Sequence, residues 1–260
     1  NGAFSADPYL AGRDPSRSTD LTAICAQVEA LADLLAASGD LSFADRLERL
    51  IENALSNAVV DGGVRASQAI NRIAGEASCR IAPADRAQTS ALLRACYAIR
   101  RSVWMVKSES ELSLLLPYDG VCLTRMDGVP VRVSAKVSGF KKVTLTVEAK
   151  QPAEFTLSLR VPDYAEGATV SVNGAKAQEA PFGKLLAIKR MFKTGDIVEL
   201  TLPCEPFVET GYRGSAAVYC GAMLMALPLP AQDAAWQYAL DSETPLSMEI
   251  VDGQPRAHVD

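Results

Sequence analysis

The sequence predicts an α+β protein with several domains, in which a helical segment precedes an antiparallel β-sandwich. Two observations carry this prediction. Apolar residues recur at helical spacing before about residue 108, and they alternate with polar residues after about residue 110. The hydrophobic period thus changes from about 3.6 to about 2 residues. This change of period divides the chain into a helical segment at residues 1–108 and a sandwich at 109–230, which is followed by a tail at 231–260.

Residues 25–55 predict two amphipathic helices separated by Gly39-Asp40. Gly39 is expected to end the first helix, and Ser42 followed by Asp45 resembles a capping box that begins the second. The apolar stripe of the first helix comprises Ile24, Val28, Leu31 and Leu35. That of the second comprises Phe43, Leu47, Leu50, Ile51 and Leu55. Its solvent face is expected to carry Asp45, Arg46, Glu48, Arg49 and Glu52.

A third helix is predicted from about Thr89 to Val106. Its expected buried face comprises Leu92, Cys96, Ile99, Val103 and Val106. Between the second and third helices, Asp61–Arg86 has a mixed pattern. This segment is consistent with an irregular crossover, a short strand or a short helix.

The second half of the chain consists of short alternating runs separated by turn signals. Runs occur at Leu112–Leu116, Val131–Val137, Val143–Val147, Phe155–Val161 and Val198–Leu202. Asn173-Gly174 is the strongest turn signal, because a type I′ turn needs positive φ at both central residues. Many short alternating strands at regular spacing predict an antiparallel sandwich.

Composition narrows the range of functions. The net charge is −5 and no cluster of Lys and Arg stands out, which argues against nucleic-acid binding. No apolar run approaches the roughly 20 residues of a membrane span. Six scattered cysteines without a CxxC motif are expected to be mostly buried thiols in a reducing compartment, so a cytoplasmic localisation is predicted.

The chain contains a single histidine, His258, which is expected to lie in a solvated tail. Catalysis by a Ser-His-Asp or Cys-His arrangement would require this residue to fold back into a site. Acid–base chemistry must therefore come from carboxylates, cysteine, lysine or tyrosine.

An ordered set of short motifs spans about Gly2–Leu240. In the helical segment the motifs are Gly2-Ala3-Phe4, Cys25 with Val28-Glu29, Gly39-Asp40, Ala44–Arg49, Asn53-Ala54-Leu55 and Ser102–Met105. In the sandwich and tail they are Leu159–Pro162, Val172-Asn173-Gly174, Gly195-Asp196, Arg213-Gly214, Val218-Tyr219 and Trp236-Gln237-Tyr238. In this order they resemble glycoside hydrolase family 127, the β-L-arabinofuranosidase-like group.

The resemblance implies a helical (α/α)6 barrel followed by β-sandwich domains. The chain then corresponds to a divergent, truncated member, and its helical segment to a remnant of the later part of the barrel. The family chemistry implied is retaining hydrolysis, in which a zinc-bound cysteine thiolate attacks the anomeric carbon and a glutamate serves as acid and then base. Zinc keeps a thiolate deprotonated, and a carboxylic acid can protonate the leaving oxygen.

Most of the positions that this resemblance assigns to chemistry hold other residues here. The acid/base glutamate position is Gly2, and the Glu-x-Cys ligand pair becomes Ala23-Ile24-Cys25. The Cys-Cys pair that contains the nucleophile falls on Ala87-Gln88, while Cys79 lies upstream and could supply one position if the loop shifted. Cys25 is thus a remnant ligand position. No cofactor is expected. If the metal site of the family survives in this chain, the expected cofactor is zinc.

Three functional hypotheses follow. The first is a catalytically degenerate member that binds a glycan or a partner protein, with its exposed barrel surface covered by a second copy or another chain. The second is a working glycosidase for L-arabinofuranosyl or related bonds, which uses carboxylates such as Asp7, Asp14 or Asp20. The third is an interaction module in which aromatic residues stack on sugars, with Tyr164, Phe182, Tyr212 and Trp236 as the candidates.

Overall fold

A computed structural model describes residues 2–4, 18–61, 63–65, 67–69, 81–139, 142–203, 205–210, 216–225, 246–251 and 254–259. The chain divides into two compact units. Unit 1 comprises Asn1–Asp33, Arg46–Ala98 and Glu205–Asp260. Unit 2 comprises Leu34–Asp45 and Ile99–Cys204.

The first part of the chain is mainly helical. Its elements in order are β1 (Ser18–Asp20), α1 (Leu21–Ser38), α2 (Leu41–Arg49), a π-helix (Leu50–Leu55), α3 (Ser56–Ala58), β2 (Val59–Val60), β3 (Gly63–Arg65), β4 (Ser67–Ala69), β5 (Ile81–Ala82) and α4 (Arg86–Val103). The π-helix continues α2 and runs directly into α3, so these three form one helical run.

Strands follow for the rest of the described chain. They are β6 (Trp104–Ser108), β7 (Glu111–Leu114), β8 (Gly120–Met126), β9 (Val129–Ser138), β10 (Lys142–Ala149), β11 (Ala153–Val161), β12 (Thr169–Val172), β13 (Gln178–Glu179), β14 (Lys184–Phe192), β15 (Ile197–Thr201), β16 (Pro206–Thr210), β17 (Ala216–Cys220), β18 (Met223–Leu224), β19 (Leu246–Val251) and β20 (Gln254–Val259).

The first predicted helix is confirmed as α1. All four residues of its predicted stripe are buried. Gly39 ends the helix with φ +70°, and its N–H donates to the Leu35 carbonyl at 2.9 Å. By length and composition alone α1 could cross a bilayer, but a core helix passes the same test, so this is weak evidence.

The start of α2 differs from the predicted capping box. Asp40, not Ser42, accepts the first backbone N–H: its Oδ1 lies 2.9 Å from the Ser42 nitrogen. This backbone hydrogen bond from Ser42 lowers the pKa of the Asp40 carboxyl. Asp45, expected as the third residue of the box, is buried instead.

The predicted solvent face of α2 is also wrong in part. Asp45 and Glu48 are 8 % and 1 % exposed. Buried carboxylates need hydrogen-bonded or charged partners, because an isolated charge in an apolar environment is expensive. Both residues have partners, as the ion pair of Asp45 described below shows for one of them. A burial pattern of this kind breaks the rule that charged residues on an amphipathic helix face water.

The buried face of α4 is shifted from the prediction. Of the five residues predicted to be buried, only Val103 is; the other buried side chains of the helix are small, namely Ala91, Ala95, Ala98 and Ser102. Cys96 is exposed, and Leu93 and Tyr97 are 67 % and 69 % exposed. The helix ends at Val103, and Trp104 begins strand β6 opposite Leu114. Most of the larger side chains of α4 are therefore on its exposed face.

Short strands occupy the described part of Asp61–Arg86. β3 pairs with β2 and β5 in a three-stranded sheet, and β4 pairs with β1 through Thr19↔Gln68. Of the three alternatives left open by the sequence, short strands are the one observed; residues 70–80 lie outside the described part of the chain.

The predicted sandwich is confirmed as two sheets within unit 2. One has the strand order β13-β12-β15-β10-β9-β8, and the other has the order β14-β11-β7-β6. Their inward-facing apolar residues form the core, in which the rings of Phe155 and Phe192 lie 4.5 Å apart. One pair departs from the antiparallel prediction: β7 and β11 run parallel, with Leu112 opposite Leu157.

The Asn173-Gly174 turn has positive φ at both residues, +54° and +71°, as predicted. Asp196 holds this turn, accepting from the Asn173 side chain at 2.9 Å and from the Lys193 N–H at 3.0 Å. Burial by itself would raise the pKa of Asp196, but these hydrogen bonds and the nearby Arg190 outweigh it and lower the pKa. The motifs at residues 172–174 and 195–196 therefore meet as one structural unit.

The cysteines only partly follow the expectation of buried thiols. Cys25 is a buried free thiol, Cys122 is half-buried and Cys96 is exposed. Cys220 forms a disulfide. Because disulfides are rare in reducing compartments, this bond weighs against the cytoplasmic localisation, which stays a prediction.

Candidate functional site

Among the described residues, the positions that the resemblance assigns to chemistry lie on α1, in the segment Gly2–Phe4 beside it and in the first turn of α4, all in unit 1. The segment Gly2–Phe4 is held against α1 by the side-chain amide of Gln27. Its Oε1 accepts the Phe4 N–H at 3.2 Å, and its Nε2 donates to the Gly2 carbonyl at 2.9 Å. These two hydrogen bonds fix the segment Gly2–Phe4, which is called the strap below. The sequence alone assigned no role to Gln27.

Gly2, the expected acid/base position, has neither a side chain nor room for one. Its φ is +82°, a conformation that strains other residues. A Cβ there would lie 3.3 Å from the Leu50 backbone nitrogen, tighter than most real contacts. The strap therefore packs its backbone directly on the start of the π-helix, at a point where a glutamate would have to project.

Asp20 acts as the N-cap of α1. Its Oδ1 accepts the Thr22 N–H at 2.8 Å, the Ala23 N–H at 3.3 Å and the Thr22 hydroxyl. An aspartate so engaged satisfies the free donors of the helix start. Ala23, at the expected glutamate ligand position, is exposed on the first turn and offers no donor atom for a metal.

Cys25 lies two residues beyond Ala23 on α1 and is fully buried. Burial, followed by the neighbouring Cys96 and Glu29, raises the pKa of its thiol to about 11, although Arg94 acts in the opposite direction. Arg94 is itself paired with Glu29, with its Nε 3.2 Å from both carboxylate oxygens. Because the thiolate is the reactive form, a thiol in this state is not a ready nucleophile.

Cys25 is expected to resist alkylation while Cys96 reacts. With a pKa of about 11, only about one Cys25 thiol in a thousand is ionised at pH 8, and it is buried. Mass-spectrometric mapping after brief iodoacetamide treatment at that pH would show modified Cys96 and unmodified Cys25, with Cys25 reacting only after denaturation. Cys96→Ser is the matched control. Rapid modification of Cys25 in the native protein would contradict the raised pKa.

Ala87 and Gln88, at the expected Cys-Cys position, lie in the first turn of α4. Gln88 completes a reciprocal capping box with Asp85: Asp85 Oδ1 accepts the Gln88 N–H at 2.8 Å, and Gln88 Oε1 accepts the Asp85 N–H at 3.0 Å. The sequence pattern Asp-x-x-Gln could have identified this start, three residues before the predicted one. The pair serves the helix terminus and offers no nucleophile.

An open depression of about 430 Å³ lies beside this turn. It is lined by Ala84, Asp85, Arg86, Thr89, Ser90, Leu93 and Arg94. The polar groups of Thr89 and Arg94 are already engaged, with the Asp85 carbonyl and with Ser90 and Glu29 respectively. The depression therefore presents mainly apolar surface.

The described residues do not fit a zinc site. Among them, no group of three or more His, Cys, Asp or Glu side chains could hold a metal ion. Of the expected ligand pair only Cys25 has a donor atom, because Ala23 has none. Cys79, Asp7 and Asp14 lie outside the described part of the chain, as do Tyr212 and Trp236, and the His258 side chain is likewise not described.

Two other motifs of the helical segment make contacts that hold the fold together. Within unit 2, the buried guanidinium of Arg160 on β11 pairs with Asp45 and donates to the Leu115 carbonyl. Within unit 1, Arg49 pairs with Glu209 at 2.7 Å and lies over the Tyr219 ring, 5.0 Å from its centroid. These contacts link sequence motifs that are more than a hundred residues apart.

Residues 119–204, which cover most of the sandwich, match the family model described as "Beta-L-arabinofuranosidase, GH127 middle domain". The resemblance to glycoside hydrolase family 127 is confirmed. None of the curated proteins matches the sequence of this chain.

Three solved structures share the fold over most of the chain. A GH127 beta-L-arabinofuranosidase from Geobacillus stearothermophilus T6 aligns with TM-score 0.67 and 19 % identity over 85 % of this chain and 39 % of its own. A GH127 beta-arabinofuranosidase aligns with TM-score 0.70 and 19 % identity over 86 % and 40 %. A third, described as a glycoside hydrolase, aligns with TM-score 0.65 and 16 % identity over 82 % and 39 %.

The chain spans about two fifths of the length of these GH127 structures. At this identity the likeness establishes the fold. It supports a mixed α+β architecture with few helices and several largely antiparallel sheets. The correspondence of the helices to part of an (α/α)6 barrel stays a prediction.

Proposed function

We propose that this GH127-like protein is catalytically degenerate and acts by binding a glycan or a partner protein. The observation that carries the proposal is the chemistry of the described family positions. Gly2 has no side chain, Ala23 has no donor atom, and Ala87 and Gln88 belong to a helix cap. The remaining position, Cys25, holds a fully buried thiol, and burial raises its pKa to about 11.

Retaining hydrolysis needs an acid to protonate the leaving oxygen and a nucleophile to form the glycosyl intermediate. The strap at Gly2–Phe4 is closed by Gln27 and packed on Leu50, so no carboxylic acid projects from it. The carboxylate of Asp20 is taken up by three hydrogen-bond donors at the start of α1. Neither catalytic role therefore has an occupant among the described residues at these positions.

A glycan-binding role is supported by aromatic surface at one end of the sandwich in unit 2. Phe182 is 48 % exposed and precedes β14. Its loop is tied to the loop that contains Tyr164, because the Gly183 N–H donates to the Pro162 carbonyl at 3.2 Å. Phe182 thus offers an exposed ring that can stack on a sugar, while Tyr164 on the linked loop is half-buried.

A protein partner is supported by exposed apolar surface on α4 in unit 1. Leu93 and Tyr97 are one helical turn apart and both about two-thirds exposed. Exposed apolar surface of this kind is typical of interaction sites. The proposed partner is a second copy of this chain or another protein chain that covers this surface of α4. Nucleic acid and membranes are not proposed as partners.

The test is hydrolysis of an aryl β-L-arabinofuranoside by the purified protein, with bound zinc quantified on the same sample. We expect no turnover above the buffer rate and much less than one zinc per chain. The matched control is Cys25→Ser, which should behave like the parent protein in both measurements. Retention on an arabinan-coupled resin, compared between the parent and Phe182→Ala, then separates glycan binding from partner binding.

Turnover with about one zinc per chain, lost in Cys25→Ser, would contradict the proposal. That result would favour the alternative, an active glycosidase for L-arabinofuranosyl or related bonds. Cys25 would then be tested as a metal ligand and Cys79 as the nucleophile.

A further inference from the structure

The Asn173-Gly174 turn of unit 2 has a covalent reactivity that its role in the fold does not use. Glycine has no side chain to shield its backbone nitrogen, so this nitrogen can reach the amide carbon of a preceding asparagine. In that reaction the Gly174 nitrogen bonds to Asn173 Cγ, the Cγ–Nδ2 bond breaks, and ammonia leaves with the proton of the glycine nitrogen. Water then opens the five-membered imide at either carbonyl and gives aspartate or isoaspartate. Deamidation of this kind needs water and no other reactant.

The attacking nitrogen is accessible in this turn. Asn173 and Gly174 are both exposed, and a Cβ placed on Gly174 would meet no atom within 4 Å. The turn is closed by the Ala175 N–H, which donates to the Val172 carbonyl at 3.0 Å. In the described part of the chain the Gly174 N–H itself has no hydrogen-bond acceptor. The position of the Asn173 side chain therefore decides whether the reaction occurs.

The Asn173 amide, in contrast, is held at both of its polar atoms. Its Oδ1 accepts the Ile197 N–H at 2.8 Å, and its Nδ2 donates to Asp196 Oδ1 at 2.9 Å. The Asn173 N–H donates to the Ile197 carbonyl at 2.8 Å. Both ends of the amide are thus bonded to the start of β15, and neither is bonded to Gly174. Ring closure requires the side chain to rotate toward the Gly174 nitrogen, which breaks both side-chain hydrogen bonds.

Asp196, which accepts from the amide nitrogen, is itself firmly held. It is 1 % exposed, and its Oδ2 accepts the Lys193 N–H at 3.0 Å and lies 3.8 Å from the Arg190 guanidinium. Burial by itself would raise its pKa, but the hydrogen bonds from Asn173 and Lys193 and the charge of Arg190 outweigh burial and lower the pKa. Asp196 therefore stays ionised at neutral pH, and it has no proton to give to a departing amide nitrogen.

We propose that Asn173 is a latent site of spontaneous deamidation, which the contacts with Asp196 and Ile197 protect in the folded sandwich. The reaction then proceeds only from conformations in which these contacts have opened. Local opening costs free energy in the native state, so it slows the reaction by the fraction of molecules that are open. The proposal concerns unit 2 and does not depend on the proposed loss of catalysis.

The products cannot restore the contacts that protected the asparagine. An aspartate at position 173 places a second carboxylate against Asp196, where an N–H donor stood before, and like charges at that distance repel. An isoaspartate lengthens the backbone of a two-residue turn, whose geometry sets the register of the strands that flank it. Deamidation is therefore a one-way step that weakens the pairing of β12 with β15.

Peptide mapping by mass spectrometry in mildly alkaline buffer tests the proposal, because deamidation changes the mass of the peptide that contains Asn173. We expect the native protein to react at least about tenfold more slowly than a synthetic peptide of residues 169–178. In a denaturing concentration of urea the two rates should agree. Hydrogen exchange gives an independent check: the protection factor of the Ile197 N–H should match the slowing of deamidation within about tenfold, because opening of the same contacts limits both.

Substitution of Asp196 tests the protecting contact directly. Asp196→Ala should deamidate at Asn173 at least about fivefold faster than the parent protein, because one of the two hydrogen bonds of the amide is lost. Glu199→Ala is the matched control, since Glu199 lies on β15 and bonds to Lys142 and Ser171 instead. This control should react at the parent rate. Circular dichroism of each variant checks that the sandwich is folded.

Asn173→Asp reproduces one product and is compared with Asn173→Gly, which also loses the side-chain contacts but adds no charge and accepts the positive φ. We expect a lower urea midpoint for Asn173→Asp than for Asn173→Gly. Native protein that reacts as fast as the peptide, a folded Asp196→Ala that reacts at the parent rate, or equal midpoints of the two Asn173 variants would overturn the proposal. If Asp196→Ala does not fold, a mismatch between deamidation and exchange at Ile197 in the parent protein would overturn it.

Discussion

Asp45→Ala is expected to lower the free energy of unfolding by about 3–5 kcal/mol, because it removes the carboxylate that faces a buried guanidinium. The Arg160 side chain is 1 % exposed and that of Asp45 is 11 % exposed. Asp45 Oδ1 also accepts the Asp163 N–H at 3.4 Å. Equilibrium urea unfolding measures the change, and a lowered midpoint with an unchanged slope would show that stability alone was affected.

Two comparisons separate this effect from a general sensitivity of the sandwich. Glu154→Ala breaks the Lys189 pair, whose side chains are 71 % and 53 % exposed, and should cost no more than about 1 kcal/mol. Asp45→Leu combined with Arg160→Met should recover most of the loss, because replacing both partners leaves no buried charge. If Asp45→Ala lowered the free energy of unfolding as little as Glu154→Ala, the Arg160 guanidinium would have found another partner or reached water.

The sequence predicts the sandwich well because one face of each strand is buried and the other is not. Val143, Leu145 and Val147 on β10 are all fully buried, as the alternation requires. The turn residues were equally informative, since Asn173-Gly174 has the positive φ values that its type I′ geometry demands. The alternation of apolar and polar residues does not show whether a neighbouring strand runs parallel or antiparallel. The parallel pairing of β7 with β11 was therefore not predicted.

The helices were located correctly but their faces were partly misassigned. Periodicity places charged residues toward water by default, yet the partner that buries Asp45 lies 115 residues away in the chain. The same limit applies to α4. A stripe of alanines allows close packing, so Ala95 is buried while the neighbouring Cys96 is exposed. Which side chains of this helix are buried depends on how much space is left for them in the fold, and a single sequence does not reveal that space.

The candidate site was predictable in its positions but not in its contacts. The sequence identified Gly2, Ala23, Cys25 and Ala87-Gln88 as the relevant places and showed that four of the five expected side chains were missing. Gln27 was not identified, because a glutamine on a helix carries no signal for a strap that begins 25 residues earlier. The raised pKa of Cys25 likewise follows from its depth of burial, which only the fold determines.

The motifs that carry the family resemblance are therefore of two kinds. Those at Gly2 and Cys25 mark positions that the resemblance assigns to catalysis, and they are the places where we propose that the chemistry was lost. Those at Asp45, Arg49, Asn53 and Arg160 make buried or bridging contacts that the fold requires. A scaffold can keep the second kind after losing the first, because stability and catalysis depend on different side chains. This separation is what the proposed loss of catalysis with retention of the fold requires.

Asn53→Ala is expected to lower the free energy of unfolding of unit 1 by about 2–3 kcal/mol, because it leaves part-buried backbone groups without partners. Asn53 lies in the π-helix, and its Nδ2 donates to the Ala222 carbonyl at 2.8 Å. Its Oδ1 accepts the Leu224 N–H at 2.7 Å. One side chain thus satisfies a donor and an acceptor at the β17–β18 hairpin, which Arg49 also contacts through Tyr219.

The measurement is urea unfolding combined with limited proteolysis, since loosening of the hairpin should expose new cleavage sites near Met223–Leu224. Ser56→Ala is the matched control: its hydroxyl bonds only within the same helical run, to the Glu52 carbonyl at 2.6 Å, and it is exposed. That variant should change stability by less than about 0.5 kcal/mol. Equal protease resistance of Asn53→Ala and the parent protein would mean that the disulfide at Cys220 and the Arg49 contacts hold the hairpin without the asparagine.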